Sequence, residues 1–302
     1  MAHHSARRPA GLDTMPLTTN HIDGSFAVEI EGINLWEEPT AETIEELRDL
    51  WSHHGVMVFR RQAVSEEELI QFSAHFGEVV PHTRPDWASP TSREITIVSN
   101  MKNADGVGIG GLGTGELAWH TDQSFVPYPA TGCLLYAVEL PPDNPDTSWA
   151  NLLQAYEGMP GALKERVEGK AGVFDYMQRV GNYNKGNEPS EKIRKRLPPV
   201  KHAVVNSHPI TGEKSLYLDP GTMTGIDGLE DERGRALLAE LTDAATQPEY
   251  VYGHKWRIGD VVMWDNGFLL HKRQAFEASG NRLMKRTIIK LPKERHICPG
   301  PA

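Results

Sequence analysis

Apolar residues in this chain fall mainly into short runs of three to six, separated by glycine, proline and polar clusters, with few stretches at helical spacing. Runs at 26–30, 56–59, 95–98, 133–138, 250–252, 261–264 and 287–289 read as buried strands. Residues 204–205 and 215–218 read as a strand pair joined through the turn at 209–212. Four helices interrupt this pattern. Thr40 is placed to cap one over 42–51, whose acidic first turn suits the helix dipole, and Gly55 breaks it. Ser65 and Glu68 form a capping box for a second over 66–75, where Leu69, Phe72 and Phe76 share a core-facing stripe. The others are expected at 152–168 and 230–246, the latter with Leu237, Leu241 and Ala244 on one side. Many short strands with a few outer helices predict a mainly β fold, a sandwich or jelly roll.

Composition narrows the class of protein without changing that picture. A chain of 302 residues, 39% hydrophobic and 24% charged, suits one globular domain with insertions and a sizeable core. The expected organisation is a flexible lead-in at 1–19 and a single domain over 20–302, with lid loops at 81–118 and 175–200. The basic stretch 175–200 also reads as a solvated face. The lead-in pair His3 and His4 has no nearby partners to complete a metal site. A formal net charge of −10 argues against nucleic acid or an anionic membrane as partner. No apolar run reaches the roughly 18–20 residues of a membrane span, and no secretory signal is recognisable at the N-terminus. Two cysteines, Cys133 and Cys298, make no disulfide framework, so the reducing cytoplasm is the expected location.

Candidate chemistry starts at Trp119-His120-Thr121-Asp122. On a strand, residues two apart share a face, so His120 and Asp122 would converge on one point. Two histidines and one carboxylate make the facial triad of non-haem Fe(II) oxygenases. A His and an Asp beside a turn also hydrogen-bond to each other with no metal. His271, after the apolar stretch 268–270, is the candidate third ligand or else a core histidine. Further on come Arg282 and Arg286, four apart and on one face if the segment is a strand. Two guanidinium groups facing one pocket fit a carboxylate-bearing cosubstrate; the alternative is two surface salt bridges. Gly108, Gly110 and Gly113 match GxGxxG, but no strand directly precedes them and no helix opens after them, so a loop at the mouth of a site is the reading.

Together these segments resemble a known family. Trp119 to Asp122, the stretch 146–151, Trp264-Asp265-Asn266 with His271, and the stretch 282–286 are similar to the taurine dioxygenase family of Fe(II)/2-oxoglutarate-dependent oxygenases, which includes the aryloxyalkanoate dioxygenases. Similarity extends to 31–35, 54–60 and Phe76-Gly77, so it covers about residues 22 to 290 in the family's order. It implies a double-stranded β-helix, a cupin-like jelly roll. It also implies that His120, Asp122 and His271 ligate Fe(II), that Thr147 and Arg282 hold the distal carboxylate of 2-oxoglutarate, and that Arg286 lies near the substrate or the cosubstrate's C1 carboxylate. The implied reaction consumes O2 and 2-oxoglutarate, releases succinate and CO2, and leaves a small-molecule substrate oxidised, usually hydroxylated.

Two departures bear on specificity. Many members carry Arg directly after Trp-Asp-Asn, whereas here Gly267 follows, so a local ion pair is missing or replaced. Members that take taurine have Asn four residues before the first metal His, and here that position is Glu116. If Glu116 faces the pocket, a cationic or amine substrate is favoured; otherwise it faces solvent. His82 is a further candidate substrate contact. Other outcomes open to the same machinery are desaturation, cyclisation or cleavage. The reading from a different class is a non-catalytic metal-binding β-barrel, which would have no use for a carboxylate clamp at Thr147 and Arg282. Relatives commonly associate, so a homo-oligomer is compatible with the sequence.

Overall fold

The computed structural model describes residues 16–22, 24–178, 191–277 and 279–302. Most of the expected lead-in, and residues 179–190 of the expected 175–200 lid, lie outside them. Two facing β-sheets form the body, as expected for a jelly roll. The larger sheet runs in the order Thr18–His21, Val28–Glu31, Val56–Phe59, Val261–Asp265, Gly132–Glu139, Leu283–Lys290, Thr96–Ser99, Gly111–Leu112, with Glu78–Val79 also beside Leu283–Lys290. The smaller sheet runs Val251–His254, Thr147–Asn151, Leu269–Arg273, Leu117–His120. Two smaller sheets, of three and two strands, complete the structure.

Strict alternation explains the layering. In Val261–Asp265 and Gly132–Glu139, Val262, Trp264, Cys133, Leu135 and Ala137 point between the sheets, where they meet Trp149, Tyr252 and Leu269. Val261, Met263, Leu134 and Tyr136 point the other way, onto Leu47, Trp51, Leu69 and Phe72 of helices Ala41–His54 and Glu66–Ala74. The far face of the smaller sheet is covered too, with Ala150 and Leu270 packed beside Leu237 and Leu241 of helix Asp231–Ala245. Covering both faces of each sheet is why its strands read as apolar runs rather than as an alternating pattern.

Both expected helix starts are present: Thr40 accepts the backbone N–H of Thr43, and Ser65 and Glu68 close a capping box. The expected helix at 152–168 is instead two, Leu152–Gly158 and Gly161–Val167. Pro160 lacks an amide proton and forces Met159 into an extended conformation (ψ 143°), which ends the first helix. The polar stretch 146–151 proves to contain a central strand of the smaller sheet, and the strand read at 287–289 begins at Leu283. No helix among the described residues is long and apolar enough to cross a membrane.

Gly55 ends its helix in the left-handed region (φ 70°), where a Cβ would lie 2.6 Å from the Phe268 ring. Left-handed backbone costs a non-glycine residue about 1–2 kcal/mol, and the displaced ring adds to it. Gly55→Ala is therefore expected to lower unfolding stability in urea by more than about 2 kcal/mol. Ser65→Ala, which removes only a cap, should cost about 1 kcal/mol; equal losses in the two variants would contradict the close packing at Gly55.

Candidate active site

Strand Leu269–Arg273 lies between Leu117–His120 and Thr147–Asn151, and its register brings the site together. His271 is paired with His120 across one boundary, and Arg273 with Thr147 across the other. Directly opposed residues on neighbouring strands hold their side chains side by side, and the two imidazole centroids are 4.1 Å apart. Asp122 arrives differently from the expectation of a shared strand face. The strand ends at His120, and the chain turns through Gln123 in the left-handed region (φ 57°), which brings the carboxylate in from a turn. One ligand atom from each of His120, Asp122 and His271 lies within 4.8 Å of the others, and all three residues are buried.

The donor set fits a divalent metal. His120 Nδ1 faces the Ala118 carbonyl at 2.7 Å. A carbonyl can only accept, so Nδ1 carries the proton and Nε2 is the acceptor nitrogen, the form in which histidine ligates metal. Asp122 Oδ2 accepts from Arg286 at 3.0 Å and from the Cys133 thiol at 3.5 Å, and lies 3.9 Å from His271 Nε2. Burial disfavours the Arg286 cation, but the Asp122 carboxylate outweighs it and raises the guanidinium pKa. Burial, reinforced by Asp122, drives the Cys133 thiol well above its ordinary pKa, so it stays protonated and donates.

The cavity over these ligands is lined by Val98, Leu112, Leu117, Leu135 and Trp264 and by cationic Lys272, Arg273, Arg282 and Arg286. Arg282 is 2% exposed, and its Nε donates to the Asn144 side-chain carbonyl at 3.0 Å. Among the described residues it forms no ion pair with a carboxylate. Burial, with Arg273 nearby, lowers its pKa to about 9. A guanidinium so placed calls for an anionic ligand. Thr147 lines the same cavity, and its hydroxyl oxygen accepts from the Trp256 indole at 2.9 Å, which leaves its own proton for a ligand. Thr147, Arg282 and Arg286 thus line the same cavity as His120 and His271 of the His-Asp-His cluster.

Sequence reading did not identify Arg273, Cys133, Asn266 or Trp256 as site residues. Arg273 sits two positions after His271 on the same strand face, which is the signal that was available. Its guanidinium donates to the carbonyls of Gly113, Leu112 and Gly115 at 2.9, 3.0 and 2.5 Å. The glycine cluster is therefore clamped, with Leu112 held at φ 69° and its side chain lining the cavity. A strand follows this loop rather than a helix, so it has none of the context of a phosphate cradle. His82 is half-buried and stacked on Trp87 at 5.3 Å, outside the cavity lining. Glu116 is exposed and also outside that lining. At Gly267, where the expected local ion pair is missing or replaced, the neighbouring Asp265 carboxylate meets His296 Nδ1 at 2.7 Å.

A jelly roll carrying a buried two-histidine, one-carboxylate cluster beneath an arginine-lined cavity is the architecture of a non-haem metal oxygenase. Residues 14–288 match the family described as taurine catabolism dioxygenase TauD, TfdA family, and the chain belongs to it. The chain is 32% identical over 286 residues to the alpha-ketoglutarate-dependent 2,4-dichlorophenoxyacetate dioxygenase of Cupriavidus pinatubonensis, covering 90% of this chain and 97% of that protein. It is 30% identical over 260 residues to pentalenolactone F synthase of Streptomyces avermitilis, covering 81% and 84%. Among solved structures, AAD-2 in complex with Mn(II) and N-oxalylglycine superposes with a TM-score of 0.79 at 27% identity, covering 92% of this chain and 98% of that one. A taurine dioxygenase from Burkholderia xenovorans gives 0.76 at 25% identity, covering 95% and 96%. The protein is thus an Fe(II)- and 2-oxoglutarate-dependent dioxygenase with O2 as the second cosubstrate.

The clamp is checked by hydrogen exchange. Three bonds from a charged donor hold the turn, so Arg273→Met is expected to accelerate amide exchange across 111–117 by at least about tenfold. Unchanged exchange there would show that the loop holds its shape without Arg273.

Proposed function

We propose that His120, Asp122 and His271 ligate Fe(II), that Arg282 and Thr147 receive the distal carboxylate of 2-oxoglutarate, and that the enzyme hydroxylates an unactivated C–H of a small lipophilic carboxylic acid. The buried Arg282 cation, with no carboxylate partner among the described residues, carries this reading. It also sets aside a non-catalytic metal barrel, for which such a charge would be a cost without a use. When bound, the iron and 2-oxoglutarate supply O2 activation, with succinate and CO2 as coproducts.

This chain's residues supply the rest. Arg286 and Cys133 hold the Asp122 carboxylate, Ala118 holds the His120 tautomer, and the apolar lining excludes water from the reacting carbon. The substrate class follows from that lining, apolar side chains beside Lys272 and Arg286. An acid fits it better than the cation that Glu116 would have favoured, because Glu116 is exposed. Arg286, which lines the cavity, is the proposed substrate-facing residue, and His82, outside that lining, is not. Relatives named for lipophilic acids support the same class: 2,4-dichlorophenoxyacetate, and (S)-phenoxypropionate in the enzyme of Sphingobium herbicidovorans, 27% identical over 276 residues. Similarity to pentalenolactone F synthase favours a second reading, an oxidation within a biosynthetic route. Ferrous iron and two free thiols, Cys133 and Cys298, suit a reducing cytoplasm.

Substrate-coupled succinate release tests the proposal. With Fe(II), 2-oxoglutarate and O2, (S)-phenoxypropionate or 2,4-dichlorophenoxyacetate should stimulate succinate formation, and taurine should not. Asp122→Ala should lower the stimulated rate by several kcal/mol in barrier, roughly a thousandfold. Stimulation by amines but by none of the acids would overturn the substrate class.

A further inference from the structure

The C-terminal segment 291–302 returns to the turn that carries Gly267. Asp265 is fully buried, and both of its carboxylate oxygens are engaged: Oδ1 accepts the Gly267 N–H at 2.7 Å, and Oδ2 accepts from His296 Nδ1 at 2.7 Å. His296 is itself 2% exposed and packs its ring 4.8 Å from that of Trp51. Among the described residues no other side chain hydrogen-bonds this carboxylate. A second observation points the same way. A Cβ at position 267 would stand 2.2 Å from the Ile297 carbonyl oxygen, so the tail backbone occupies the space that any larger residue there would need.

The turn so held grips the metal-ligand segment at two points. The Asn266 carbonyl accepts the hydroxyl of Thr121, the residue between His120 and Asp122, at 3.0 Å. The Asn266 side chain accepts the Trp264 indole N–H at 2.9 Å and donates to Cys133 Sγ at 3.5 Å; that thiol in turn donates to Asp122 Oδ2. Asn266 N–H donates to the Thr131 carbonyl at 2.6 Å, tying the turn to the neighbouring strand. Partners outside the ligand set that orient metal ligands commonly change metal affinity 10–100-fold when removed.

From this geometry we propose that His296 is a positioning residue for the metal site, acting from the C-terminal tail through Asp265 and the 265–267 turn. The inference rests on His120, Asp122 and His271 being the iron ligands. A purely structural clasp would stabilise the fold and leave metal affinity untouched. A positioning residue changes the affinity of protein that is still folded.

The test is an anaerobic titration of Fe(II) into metal-free protein at saturating 2-oxoglutarate, followed by the visible charge-transfer band. Thermal melting and near-ultraviolet circular dichroism report folding alongside. His296→Phe keeps a ring against Trp51 and removes the donor; His296→Asn keeps an N–H donor and removes the ring. Gly267→Ala keeps both side chains but pushes away the Ile297 carbonyl and crowds Asp265 Oδ1, 2.9 Å from the new Cβ. His296→Phe and Gly267→Ala are expected to need at least about tenfold more Fe(II) for half the band, with His296→Asn close to wild type. Folded His296→Phe and Gly267→Ala that titrate like wild type would overturn the proposal. A folded His296→Asn that also needs at least about tenfold more Fe(II) than wild type would do the same, and it alone decides if the other two do not fold. No band in wild type would remove the iron-site reading itself, and this inference with it.

Discussion

The register of one strand, Leu269–Arg273, sets the geometry of the whole site. It has neighbours on both sides, and slipping it by one residue would turn His271 and Arg273 away from the cavity and send apolar Leu269 and its neighbours to the wrong face. What prevents the slip is burial. Leu269 belongs to the core between the sheets, Leu270 to the helix-covered layer outside, and both are fully buried. The same packing that stabilises the jelly roll therefore aligns His271 with His120 and Arg273 with Thr147. Preorganisation of this kind costs nothing further when ligands arrive.

Electrostatics then separates the roles of three buried arginines. Each guanidinium taken out of water carries a penalty of roughly several kcal/mol unless something repays it. Arg286 is matched by Asp122, and Arg273 by three loop carbonyls. Among the described residues the Arg282 guanidinium has only the Asn144 amide oxygen, at its Nε, and burial with Arg273 nearby pushes its pKa to about 9, below the value of about 10 to which burial brings Arg273. This inequality is the ground for the proposed cosubstrate clamp at Arg282, with Arg273 holding the loop and Arg286 held by Asp122 at the floor of the cavity.

How much of this was legible in the sequence depends on whether the signal was local. Helix starts at Thr40 and Ser65 were readable because capping acts within four residues, and the strands at 56–59 and 261–264 because both their faces are covered. His120, Asp122, His271, Thr147, Arg282 and Arg286 were candidates through motif and resemblance together, and the structure brings them around one cavity. The strand at 147–151 was hidden by its polar residues, and the break at Pro160 was passed over within an apolar stretch. Arg273, Trp256 and His296 were missed because their partners lie in distant segments: loop carbonyls at 112–115, the Thr147 hydroxyl and the Asp265 carboxylate. Gly267 showed as a gap in a pattern, and only the tail folded against it reveals what filled the gap.

The most direct measurement compares two cosubstrate candidates that differ at one end. Anaerobic binding of 2-oxoglutarate and of 2-oxopentanoate, which keeps the metal-chelating keto acid but lacks the distal carboxylate, would be measured on Fe(II)-loaded wild-type protein and on Arg282→Ala. A charge-assisted contact of about 2–3 kcal/mol sets the expectation: 2-oxoglutarate should bind wild type at least about thirtyfold more tightly, and the variant should lose most of that preference. Equal affinity of the two acids for wild-type protein would contradict the role given to Arg282.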